Sequence, residues 1–210
     1  KDMADSAVEN MEKVSKTAET VGTGLEKAGS VLNKGSAAAA AVLAGSVASF
    51  KDLDNGYDII VKKTGATEDA FDSLKATADE IFSGSVFDMS DIGAAIGEVN
   101  TRFGYTGDVL KTAAEQYLQF AKINDADVAD SVGKTARIMT AWNLSAENLP
   151  DLLGMITAKG QETGVAVSSL MDKVLDNNAI FKEMGLSLEE SISLMAQFEK
   201  NGINDSTALT

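Results

Sequence analysis

The sequence predicts an all-α fold: an N-terminal coiled-coil-like helix followed by a compact domain of stacked helix pairs. Three observations carry that expectation. A single proline in 210 residues removes the strongest helix breaker almost everywhere, and there are no long β-branched runs. Eighteen glycines must then do most of the helix stopping. Apolar residues recur at steps of three and four, which puts them on one face of a helix.

The first element is read from a seam. Ala7, Met11, Val14, Ala18, Val21, Leu25, Ala28 and Leu32 lie on alternating steps of four and three, and all are apolar. That is a heptad pattern over almost four repeats. Alanine at three of the eight positions makes the seam thin. Gly22, Gly24 and Gly29 each cost roughly 1 kcal/mol against alanine in a helix. Residues 4–33 therefore read as a helix that needs a partner. Two readings stand: a coiled-coil or rod segment over 1–35, or an amphipathic helix lying on its own domain.

Residues 36–64 read as an alanine-rich hydrophobic helix and connector. "SAAAAAVLAGSVASF", 36–50, is the most apolar stretch, but its 15 residues fall short of the roughly 20 that a spanning helix needs. It is expected to be a close-packed helix, with membrane insertion as the alternative. The same helix turns amphipathic at Phe50, Leu53, Tyr57, Ile60 and Val61, and Asn55-Gly56 is the expected place for a bend or break.

From 65 to 210 one local grammar recurs. Gly65 is followed by Thr67 and the acids Glu68 and Asp69. Gly104 is followed by Thr106 and Asp108, Asn143 by Ser145 and Glu147, and Gly185 by Ser187, Glu189 and Glu190. The intervals between the lead residues are 39, 39 and 42. Each position has a job. Glycine or asparagine takes the left-handed conformation that ends a helix. The hydroxyl two residues on caps the next one, and the acids complement its dipole. Apolar spacing follows at once: Phe71, Leu74, Ala78, Ile81; Leu110, Ala113, Tyr117, Ala121; Leu149, Leu152, Ile156; Leu188, Ile192, Met195, Phe198. The last of these helices closes at Gly202. Second helices are expected over 90–102, 127–142 and 166–182. Two arrangements fit this pattern, a stack of helix pairs or an irregular helical domain.

Composition excludes much chemistry. With no histidine and no cysteine there is no histidine-based triad, no thiolate metal site and no disulfide. Pairs such as Asp125/Asp127 and Glu189/Glu190 stand beside helix starts, where acids belong. "NDADVAD", 124–130, opens like a calcium loop, but Ala129 and Thr135 occupy the positions that need glycine and glutamate. Gly84 in "FSGSVF" and the glycines of "GTG", 22–24, lack the strand and the Lys-Ser/Thr of a phosphate loop. Trp142 is expected to cover a helix joint. No catalytic residue, cofactor or metal ligand is assigned, and an enzyme is not expected. The net charge of −14, the sequence pI near 4.3 and the lack of a basic stripe argue against stable nucleic-acid binding. The first twenty residues carry charge throughout and do not read as a secretory signal. Lysine at position 1 suggests an internal piece of a longer chain.

The run from "FGYTGDVLKTAAEQYLQF" to "GLSLEESISLMAQFEKNGINDSTALT", about 103–210, resembles the core helical region of phage tail tape measure proteins. The alanine-rich 36–50 segment and the acidic helix after it are similar to the family more loosely. The equivalent protein of a phage-tail-like bacteriocin fits equally. The resemblance implies a structural tail assembly protein, a tape measure that sets tail length. It implies assembly in the host cytoplasm, a place in the tail lumen or tip, and release at infection so that DNA can be ejected. Its implied partners are itself, as a homotrimer or homohexamer, the tail tube and tail tip or baseplate hub proteins, with transient host membrane contact. Residues 1–35 would then be rod, and 65–210 a body that docks. Two other functions stay open: a membrane-active helical protein inserting through 36–50, and an α-helical repeat adaptor.

Overall fold

The computed structural model describes residues 52–203. The seam Ala7 to Leu32 and the 36–50 segment lie outside the described residues. Among the described residues the chain is helical throughout, with no strand. Helix α1 covers 52–64. It is followed by α2 (Glu68–Gly84), α3 (Met89–Phe103), α4 (Gly107–Asn124) and α5 (Val128–Trp142). A 3-10 turn (Ala146–Asn148) leads into α6 (Leu149–Thr163), α7 (Val167–Asp176), α8 (Asn178–Glu183) and α9 (Leu188–Lys200).

All four lead residues of the recurring grammar adopt the left-handed conformation: Gly65, Gly104, Asn143 and Gly185 have φ of 65°, 69°, 53° and 73°. Each ends a helix or its last turn, and the capping residue follows two positions on. Gly104 donates its N–H to the Asn100 carbonyl at 2.9 Å, and Leu144 donates to Met139 at 2.8 Å. Ser187 heads α9 as a full capping box: its hydroxyl accepts the Glu190 N–H at 3.2 Å, and its own N–H donates to the Glu190 carboxylate at 2.8 Å. Thr67 and Thr106 occupy the N-cap positions without a side-chain cap bond. At Ser145 the box partner is Asn148, not Glu147.

The helices stack as pairs. In one layer α2 touches α4, α4 touches α6, and α6 touches α9. In the other, α3 touches α5 and α5 touches α7. Helix α1 extends this second layer, because its Gly56 lies directly against α3. The main contacts therefore run between neighbouring pairs, which is the arrangement of a stack. The faces read from the sequence are the buried ones. Leu74, Ala78 and Ile81 of α2, Leu110 and Tyr117 of α4, Leu152 and Ile156 of α6, and Ile192 and Met195 of α9 are all in the core. Each large aliphatic side chain buried this way contributes roughly 1.5–3 kcal/mol.

Two expectations are corrected. Asn55-Gly56 neither bends nor breaks α1, which runs continuously through it. Gly56 instead lets the α1 backbone approach α3, where a Cβ would lie 2.4 Å from the Met89 carbonyl oxygen. The helix expected over 166–182 is two helices jointed at Asn177, whose ψ of 8° leaves the helical region. The Asn177 side-chain amide donates to the Lys173 carbonyl at 2.9 Å, a bond that competes with continued helix. The turn brings Phe181 into full burial.

Candidate interaction surfaces

Several polar residues tie one helix of the stack to another. Glu98 of α3 accepts from Lys63 of α1 and from Arg102, each at 2.6 Å. Burial pushes the Glu98 carboxyl up, but these two cations outweigh it and hold the group below its ordinary range. Thr101 adds a hydroxyl bond to the Lys63 carbonyl at 3.0 Å. Lys134 of α5 bridges Asp130 at 2.8 Å and Asp172 of α7 at 2.7 Å. Lys111 of α4 reaches Glu80 of α2 at 2.8 Å. Tyr57 of α1 donates to Asp79 of α2, and its ring meets Phe71 edge-on with centroids 6.4 Å apart.

The acids singled out in the sequence have helix-end roles. Asp125 takes the left-handed conformation, φ 49°, and ends α4. Asp127 caps α5 by accepting the Asp130 N–H at 2.7 Å. With Asp88 and Asp91 they line a hollow of about 350 Å³ beside Lys122. Burial pushes the Asp91 carboxyl above its ordinary value, and the charges of Asp88 and Asp127 push it further. Among the described residues no group of three or more such side chains is placed to hold a metal ion. Trp142 is half-buried against the core, and the Lys182 ammonium lies 5.7 Å from its ring centroid, so it covers the joint between α5 and α8. Among the described residues no helix is long and apolar enough to cross a membrane.

A groove that the sequence did not announce runs between α4 and α6. Two hollows of about 340 and 420 Å³ share Gln116 and Pro150. Glutamines and threonines line it, and Gly154 and Ala158 lie along its α6 side. Lysine and arginine are absent from its lining, and its only acids are Asp108 and Glu147 at one end. Val109 and Ile123 stand on the α4 side, 57% and 64% exposed. Gly154 has nothing within 4 Å of where a Cβ would point, so no contact inside the stack requires it. An exposed mid-helix glycine with a small residue four positions on was the only sequence sign of this groove. Such a surface can bury apolar area and accept amide hydrogen bonds.

Fold and surfaces together define an all-α protein of stacked helix pairs, joined by ion pairs and open along its helix faces. Residues 75–210, more than half of the chain, match the model of the phage-related minor tail protein family, and the chain belongs to that family. Its role is a structural one in the tail, and its place is the virion tail. No curated protein and no solved structure matches the chain significantly.

Proposed function

We propose that this minor tail protein is the tape measure of its tail, in a phage or a phage-tail-like bacteriocin particle. The seam Ala7 to Leu32 forms the measuring rod, with the copies side by side, and the stack docks at the tip end of the tube. A helical rod rises about 1.5 Å per residue, so its residue count sets a length. A stack of pairs folds back on itself and wastes length, which suits it to docking. The observation that carries this reading is the contrast between the heptad seam and the pair-on-pair contacts of 52–203, with the family match as its frame. The α4–α6 groove, whose acids Asp108 and Glu147 sit only at one end, supplies a largely uncharged docking stretch on an acidic chain. On infection the protein leaves the tube ahead of the DNA.

A reconstruction of the assembled tail by electron cryomicroscopy tests this. The expected density is a compact helical body at one end of the tube with thin parallel helices leading away from it. Density showing 65–210 drawn out as extended helices along the tube would overturn the assignment of that region to docking.

A further inference from the structure

The chain contains two arginines, Arg102 and Arg137, and both line one hollow of about 630 Å³. They come from different helices, α3 and α5, and only the stacking brings them together. Arg102 is held in place: its Nε donates to Glu98 at 2.6 Å, and its terminal nitrogen passes over Gly133, where a Cβ would lie 3.3 Å away. Arg137 is exposed and joins no ion pair with the described residues. Thr140 and Asn178 add polar groups to the lining, and no carboxylate lines the hollow. Arginine is among the side chains that most often anchor protein interfaces.

On a chain of net charge −14 a hollow with two guanidinium groups is out of keeping with the rest of the surface. A guanidinium takes a carboxylate through two parallel hydrogen bonds. We propose that this hollow docks the acidic N-terminal end of α2 (Glu68, Asp69 and Asp72) from a second copy of the chain. Glu68, Asp69 and Asp72 are exposed there and join no ion pair with the described residues. Their three- and four-residue spacing puts two carboxylates on one helix face, to meet Arg137 and the terminal nitrogens of Arg102, whose Nε Glu98 already holds. The contact is between unlike surfaces, so it links copies without using the seam.

Sedimentation velocity on the full chain at physiological salt tests this. Concentration-dependent association is expected, weakened about tenfold or more by Arg102→Gln with Arg137→Gln. Glu68→Lys with Asp69→Lys and Asp72→Lys should weaken it equally. A mixture of that variant with Arg102→Glu/Arg137→Glu should associate again. Circular dichroism checks that each variant keeps its helix content. A chain that stays monomeric, or an association indifferent to the arginine variant, overturns the proposal. So does sensitivity to the arginines without sensitivity to the acids, because the occupant is then a different surface.

Discussion

Gly56 and Gly93 meet backbone to backbone where α1 crosses α3. A Cβ on Gly93 would lie 2.4 Å from the Gly56 carbonyl oxygen. Gly97, one turn on, faces the Lys63 side chain, where a Cβ would come within 2.8 Å. The crossing exists because these positions carry no side chain.

Gly93→Ala forces backbone against backbone. It should destabilise the chain by roughly 1–3 kcal/mol, as overpacking does, and lower the melting temperature by several degrees. Gly154→Ala should do the opposite. It adds a methyl to an exposed helix position with nothing within 4 Å, which stabilises by about 0.4–1 kcal/mol. Thermal unfolding of the two variants side by side checks both signs.

The left-handed helix ends give a second contrast. Gly185→Ala places a Cβ at φ 73° and should cost roughly 1–2 kcal/mol. Asn143→Gly at φ 53° removes that strain and should be neutral or stabilising. Denaturant midpoints measure the difference.

Caps with and without a bond should separate as well. Ser187→Ala removes a capping box and should cost about 0.5–2 kcal/mol. Thr106→Ala, at an N-cap without a side-chain bond, should cost clearly less.

Two carboxylates should respond to pH in opposite senses. Glu98 is held below its ordinary value, so its contribution is present above the unfolded carboxylate range and lost as pH falls through its folded value. Glu98→Gln should therefore destabilise at neutral pH and matter little in acid. Asp91 is raised, chiefly by burial, so its ionised form opposes folding as pH rises through the folded value. Asp91→Asn should stabilise at neutral pH, and the gain should fade in acid. Unfolding midpoints measured across pH report both.

Helix ends were legible because their signal is local. Gly65, Gly104, Asn143 and Gly185 each announce a left-handed residue, and the apolar spacing beside them announces the buried face. Asp125 takes the same conformation but reads in sequence as part of an acidic helix start. Gly56 was misleading for the opposite reason. Its partners, Met89 and Gly93, lie far along the chain, so a close contact looked like a breaker. The joint at Asn177 has no glycine or proline to mark it. The α4–α6 groove and the meeting of Arg102 with Arg137 depend on which helices lie side by side, and no local pattern states that.

Tail length measured by electron microscopy tests the tape-measure reading most directly. Duplicating residues 5–32 keeps the heptad phase and adds helical rod. At about 1.5 Å per residue the tail should lengthen by about 40 Å. Tails of unchanged length, from particles that carry the duplicated protein, would contradict it.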